Sequence, residues 1–157
     1  MIKSILTRAA TSLGLVLATV ALVASPAQAA TQYNEAKFVV APTVYQTNLY
    51  YSSPSVASTV TPTGTINQIG YAYSFNSSIP TGTTMQVEIC NEPSTGVART
   101  CTSITGNGAG GWTSAFNGLS STTKFYYRFY LSSPTTKAIN PPVYGANNRI
   151  TIGFIQP

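Results

Sequence analysis

Residues 124–131 read KFYYRFYL, and their side chains alternate between two chemically different sets. The odd-numbered positions are all apolar or aromatic: Phe125, Tyr127, Phe129 and Leu131. The even-numbered positions Tyr126, Arg128 and Tyr130 each carry a polar group. Successive side chains of a strand point to opposite faces of a sheet, so this alternation predicts a strand with one face in a hydrophobic core.

Similar segments lie on both sides of this stretch, separated by turns rich in Gly, Pro, Ser and Asn. The first two are expected to pair with each other across Pro42, whereas the stretch with Pro134, Pro141 and Pro142 is expected to be a polar loop. The sequence therefore predicts an all-β fold, an antiparallel β-sandwich of about seven or eight short strands. The other predicted strands cover residues 37–41, 44–51, 65–75, 84–90, 99–104, 112–116 and 149–155.

Residues 1–29 have the features of a secretory signal peptide. Lys3 and Arg8 precede an apolar run at residues 13–24, and Ala27-Gln28-Ala29 has the small-x-small pattern of a cleavage site. The apolar run is too short to cross a bilayer about 30 Å thick, so we expect no membrane anchor. Residues 30–157 are then expected to form a single domain in the periplasm, although full secretion is also compatible with the leader.

Two cysteines, Cys90 and Cys101, are present in the chain. In an oxidising compartment we expect them to form a disulfide between neighbouring antiparallel strands, on the face opposite Val87 and Ile89. A reactive thiol pair is the alternative, but the spacing is not C-x-x-C and no histidine or cluster of cations lies beside either cysteine.

The inventory of ionisable side chains argues against an enzyme. The chain has no His and no Asp, so the usual catalytic triads and metal-ligand sets cannot be assembled, and we expect no catalytic residue, metal or cofactor. Glu88 and Glu92 could form a carboxylate pair for glycoside cleavage, but their positions indicate solvated charges. The six basic residues after position 29 are scattered, so nucleic acid is not an expected partner.

A possible binding surface is the row formed by Tyr126, Arg128 and Tyr130. Tyr and Arg are frequent at interface hot spots, and an outward Tyr-Arg-Tyr row could stack on a sugar or contact a protein. The alternative is that tyrosine only covers sheet surface. Trp112, beside a glycine-rich stretch, is expected to anchor a loop in the core.

Several short landmarks occur in a fixed order between residues 64 and 154. They are residues 64–66, 69–73, 79–82, 86–90, 125–129 and 147–152, with Cys101 in between. In these landmarks the chain resembles the flagellar protein FlhE family, and the cysteine pair of that family corresponds to Cys90 and Cys101. The resemblance implies a periplasmic accessory role in flagellar assembly or motility, at the export apparatus or rod region, without enzymatic activity. Flagellar or other envelope proteins are the partners it implies.

Two other functions fit the sequence. A secreted carbohydrate-binding module would use Tyr126, Arg128 and Tyr130 against a glycan. A pilus or adhesin subunit would exchange its alternating terminal strand, which carries Ile150, Ile152 and Phe154 beside a disulfide.

Overall fold

The computed structural model describes residues 30–156, so the predicted signal peptide lies outside the described residues. Within this range there are ten strands and one 3₁₀ turn at Thr105–Asn107, and no helix there is long and apolar enough to cross a membrane. The strands are β1 Thr31–Val40, β2 Val44–Gln46, β3 Tyr50–Ser52, β4 Thr65–Ala72, β5 Thr84–Asn91, β6 Cys101–Ser103, β7 Gly110–Thr113, β8 Phe125–Ser132, β9 Ala138–Val143 and β10 Asn147–Gln156.

The strands form two four-stranded sheets and one two-stranded ribbon. The first sheet has the order β1-β10-β4-β7 and the second has the order β3-β8-β5-β6, while β2 pairs with β9. Every pair is antiparallel. The predicted all-β antiparallel fold is confirmed, although it has ten strands in the described region rather than seven or eight.

The core lies between the inner faces of the two large sheets. In the second sheet, the odd-numbered side chains of β8 are all buried, as the alternation predicted. Met85, Val87 and Ile89 of β5 are buried beside them. The first sheet contributes Ile69 of β4 and a buried row from β10: Ile150, Ile152 and Phe154. Aromatic rings fill much of this space, and Tyr127 stacks on Phe129 with ring centroids 5.8 Å apart.

The hydroxyl of Tyr127 connects the two sheets. It donates to the carbonyl oxygen of Arg149 on β10 at 2.7 Å and lies 3.2 Å from both the carbonyl oxygen and the amide nitrogen of Ala72 on β4. Because its side chain is fully buried, the phenol has no water to replace these partners. Burial raises the pKa of Tyr127 well above the usual tyrosine value, so the hydroxyl stays protonated and able to donate.

Cys90 and Cys101 form the predicted disulfide. They are directly opposite each other on β5 and β6, with their Cα atoms 4.1 Å apart. The bond therefore holds the three-residue edge strand β6 against the sheet. Cys90 is fully buried and Cys101 is half-buried, so the disulfide is less exposed than a bridge on the outer surface would be.

Two predictions, one about strand pairing and one about a loop, were wrong. The segments at residues 37–41 and 44–51 do not pair with each other, because β1 pairs along its whole length with β10. The predicted proline-rich loop contains β9, which pairs only with the short β2. Proline lacks an amide proton but is compatible with a strand that has a partner on one side only.

Hydrogen bonds from an ion pair on β1 hold this strand to the loop before β4. The Glu35 carboxylate accepts hydrogen bonds from the Ser58 hydroxyl at 2.6 Å and from the Thr59 amide and hydroxyl at 2.9 and 2.8 Å. The ammonium of Lys37 lies 2.5 Å from the same carboxylate. Burial raises the pKa of Glu35, but the hydrogen bonds from Lys37, Ser58 and Thr59 together outweigh it and lower the pKa to about 2.

Replacing Tyr127 by phenylalanine should destabilise the protein by about 1–2 kcal/mol, because the change leaves the backbone groups of Ala72 and Arg149 without their buried partner. Urea unfolding followed by circular dichroism measures the difference. Tyr73→Phe is the matched control, since its hydroxyl makes no hydrogen bond within residues 30–156. Equal losses in the two variants would show that the Tyr127 hydroxyl does not connect the sheets.

The stabilisation from Glu35 should depend on pH. The folded-state pKa lies below the ordinary value of 4.5, so the contribution is complete above pH 4.5 and is lost as the pH falls toward about 2. The stability difference between the wild type and Glu35→Gln should therefore shrink steadily over this range in urea titrations. A difference that is the same at neutral pH and at the acid end would contradict the assignment.

Candidate functional site

The predicted row on β8 differs in exposure from one residue to the next. Tyr126, Arg128 and Tyr130 share the outer face of the strand, as the alternation predicted. Tyr126 is nevertheless only 7% exposed, whereas Arg128 and Tyr130 are half-buried. The row therefore offers no exposed ring at Tyr126, and the accessible part of the surface is centred on the other two residues.

Tyr50 of β3 completes this surface and was missed by the sequence analysis. It lies opposite Tyr130 in the strand pairing, with ring centroids 4.8 Å apart. The guanidinium carbon of Arg128 lies 4.3 Å from the centroid of the Tyr50 ring, within the range of a cation–π contact. Tyr50 is 57% exposed and presents its remaining surface to solvent.

Glu88 on β5 neutralises the cation of this surface. It is directly opposite Arg128, and its Oε2 lies 2.6 Å from both Nε and Nη2 of the guanidinium. Both side chains are about three-quarters covered, so the pair is shielded more than an ordinary surface ion pair. We call Tyr50, Glu88, Arg128 and Tyr130 the Tyr-Arg cluster.

Asn48 positions the tyrosines of the cluster. Its backbone has φ of 60°, a left-handed conformation that asparagine tolerates better than most residues. Its amide group donates to the carbonyl of Ser133 at 2.9 Å and accepts from the Ser133 amide at 2.9 Å. The hydroxyl of Tyr130 lies 3.4 Å from the same side-chain oxygen. The turn before β3 is thus attached to the end of β8, which places Tyr50 beside Tyr130.

Glu88 and Glu92 do not form the carboxylate pair that was the alternative to solvated charges, because each is engaged by a different cation. Glu88 pairs with Arg128, and Glu92 lies 3.6 Å from the ammonium of Lys124 in an exposed position. Glu88 was expected to be a solvated charge and is instead a half-buried member of the cluster.

A group of potential metal ligands occurs beside the cluster. Within residues 30–156, Glu88, Cys90 and Cys101 bring one ligand atom each within 4.8 Å of the others. Both sulfur atoms belong to the disulfide, however, and a thiolate is the form that binds a metal. The group therefore does not supply a metal-ligand set.

Two further residues differ from expectation. Trp112 is 53% exposed on β7 and is not a core anchor. β10 lies between β1 and β4, so both of its edges are paired inside the chain. A terminal strand that is exchanged between chains must be able to leave its own sheet or offer a free edge. Because both edges of β10 are paired, the structure argues against the pilus or adhesin hypothesis.

Comparison with known proteins identifies the family of this chain and a solved structure with a similar fold. The family model described as "Flagellar protein FlhE" matches residues 42–155, which include nine of the ten strands. The chain belongs to the FlhE family. A solved structure described as "Crystal Structure of FLHE" superposes with a TM-score of 0.64 at 15% sequence identity, covering 78% of this chain and 96% of that one. No curated protein sequence matches the chain.

The FlhE match includes all four residues of the Tyr-Arg cluster and the disulfide, but not β1. The identity to the solved FlhE structure is low, so that similarity establishes the shared fold and not the role of any side chain. The cluster is therefore assigned from its own geometry. It combines two adjacent rings tilted by 40°, a partly buried ion pair and a hydrogen-bonded turn, so its side chains need little further ordering to bind a partner.

Tyr50 and Arg128 should be energetically coupled. A double-mutant cycle with Tyr50→Ala and Arg128→Ala should give a coupling of about 0.5–1 kcal/mol, because each side chain covers the other. Urea unfolding of the four proteins measures it. The control cycle combines Tyr50→Ala with Arg149→Ala on the other sheet and should be additive. Additivity in both cycles would show that the cation–π contact does not contribute to stability.

Proposed function

We propose that the mature protein is a periplasmic accessory protein of the flagellar system that acts through protein contacts or chaperone-like binding and has no enzymatic activity. The observation that carries this proposal is the match of residues 42–155 to the flagellar FlhE family. The expected partners are flagellar or other envelope proteins.

The location in the periplasm is supported by two features of the chain. Residues 1–29 have the pattern of a cleaved export signal. The bond between Cys90 and Cys101 is of a kind that persists in oxidising compartments.

A binding role without catalysis is supported by the chemistry of the ionisable groups. The chain has three carboxylate side chains, and each one is paired with a neighbouring cation. Glycoside cleavage needs two carboxyl groups that face each other across a substrate, and these three carboxylates belong to three separate ion pairs.

The Tyr-Arg cluster is the surface that we propose for the protein contact. Tyr50 and Tyr130 present adjacent rings, and Arg128 lies between an aromatic face and Glu88. Tyr and Arg side chains that are already ordered lose little conformational entropy on binding, which favours their use as interface anchors. The charge of the cluster is balanced, so the proposed contact depends mainly on packing and hydrogen bonds.

The test is complementation of a strain that lacks this gene. The wild-type gene should restore swimming, swarming and flagellar export, whereas Tyr50→Ala combined with Tyr130→Ala should restore them only partly. A form without residues 2–29 should fail because it stays in the cytoplasm. Tyr144→Ala is the matched control, since Tyr144 is another exposed tyrosine outside the cluster.

Three outcomes would contradict parts of this proposal. Normal motility and export in the deletion strain would remove the flagellar role. Full activity of the leaderless form would remove the periplasmic location. Equal complementation by the cluster variant and the Tyr144→Ala control would remove the Tyr-Arg cluster as the contact surface, provided that all forms accumulate to the same level.

A further inference from the structure

The outer face of the sheet β1-β10-β4-β7 carries many neutral hydrogen-bonding groups. Arg149 is the one charged residue among the described strand positions on this face, because Glu35 and Lys37 point to the other side of β1. The remaining members are uncharged, and they include exposed aliphatic and aromatic side chains. They are Gln32, Asn34, Ala36, Phe38 and Val40 of β1, Asn147, Thr151, Gly153 and Ile155 of β10, Thr65, Gln68, Gly70 and Ala72 of β4, and Gly110 and Trp112 of β7.

The indole of Trp112 lies flat on this face, over Gly70 of the neighbouring strand. A Cβ atom built on Gly70 would be 2.8 Å from Cζ3 and 3.0 Å from both Cε3 and Cη2 of the indole. Nearly equal distances to three consecutive ring atoms place that point above the plane of the ring rather than beyond its edge. Gly70 is accordingly buried although it faces outward, and the other face of the indole is open to solvent.

Two shallow depressions meet on this face. One has a volume of about 210 Å³ and is lined by Trp112, Arg149, Thr151 and small residues of β4 and β7. The other has a volume of about 280 Å³ and lies between Phe38 and Arg149. Phe38 is 76% exposed, so an exposed aromatic ring stands at each end of a continuous shallow surface with Arg149 between them.

Arg149 is available to a ligand. Its side chain is exposed, and within residues 30–156 its guanidinium has no carboxylate within 4 Å. The three glutamates of the chain are engaged by Lys37, Lys124 and Arg128. A planar guanidinium binds a carboxylate through two parallel hydrogen bonds, and no acidic group on this face competes for it.

We propose that this face binds a glycan strand that carries carboxylate groups. Trp112 stacks on the apolar face of one sugar ring, Arg149 binds a carboxylate, and the neighbouring amide and hydroxyl groups of Asn147 and Thr151 bind sugar hydroxyls. Charged residues are depleted at the centre of a protein interface, whereas the centre of this face is the unpaired cation Arg149, with Asn147 and Thr151 beside it on β10 and Phe38 and Ala72 opposite it. The proposal does not depend on the flagellar role or on the Tyr-Arg cluster.

The chain contains a single tryptophan, so its fluorescence reports directly on this face. We expect the exported, processed protein to show a saturable shift in Trp112 emission on titration with polygalacturonate, and to sediment with purified peptidoglycan sacculi. Binding to polygalacturonate alone indicates an extracellular acidic polysaccharide, and binding to sacculi alone indicates the cell wall. Either result supports the proposal. Methyl-esterified polygalacturonate, which lacks the charges, should bind at least tenfold more weakly.

Arg149→Gln should weaken binding of the acidic glycan at least tenfold and leave the weak binding of the methyl ester unchanged. Its side chain is exposed and unpaired in the described region, so circular dichroism should show an intact fold. Trp112→Ala should abolish co-sedimentation. Tyr45→Ala is the matched control, because it removes a ring of similar exposure from the ribbon β2-β9, outside this face and outside the Tyr-Arg cluster, and should bind normally.

The proposal is overturned if neither acidic probe binds, if the ester binds as tightly as the acid, or if Tyr45→Ala weakens binding as much as Trp112→Ala. It is also overturned if the wild-type protein binds no glycan and Trp112→Ala fails to restore motility. That result would indicate that this face binds a flagellar protein instead. A Trp112→Ala protein that restores motility but has lost glycan binding supports this inference and leaves the flagellar proposal intact.

Discussion

The bonds from the Tyr127 hydroxyl to Ala72 and Arg149 fix how the two sheets lie against each other. A core made only of apolar contacts permits small sliding motions, whereas a buried phenol with defined partners permits one arrangement. Tyr127 has Tyr126 and Arg128 as its chain neighbours, and Arg149 is its hydrogen-bond partner. The same residue therefore connects the strand that carries the Tyr-Arg cluster to the strand that carries the exposed guanidinium on the opposite surface.

The chain uses its few charges in two different ways. Three cations neutralise the three glutamates, and these pairs have structural tasks, such as holding β1 to its loop or ordering Arg128 beside Tyr50. Arg149 has no such partner in the described region and lies on a face without acidic groups. Because the chain has so few ionisable side chains, the unpaired guanidinium gives this neutral face a positive potential, which favours anionic ligands there.

The elements predicted best were those whose information is local. The alternation in KFYYRFYL predicted both faces of β8, and the cysteine spacing predicted the pairing of β5 with β6. Partners that are distant in sequence could not be predicted in this way: β1 pairs with β10 over more than 100 residues, and Tyr50 meets Tyr130 through strand order alone. Trp112 was placed in the core because nothing near it indicates exposure. The residue that could have indicated the outward position of Trp112 is Gly70 on another strand, since a large ring can cover a cross-strand glycine.

The pairing of Thr31 with Gln156 has a consequence for the order in which the chain folds. The first strand of the described region needs the last strand as its neighbour, and that last strand also lies in the middle of its sheet. The sheet therefore cannot close until residues 147–156 have left the ribosome. A nascent chain cannot complete this half of its structure during synthesis, and the sheet forms only once the whole polypeptide is available.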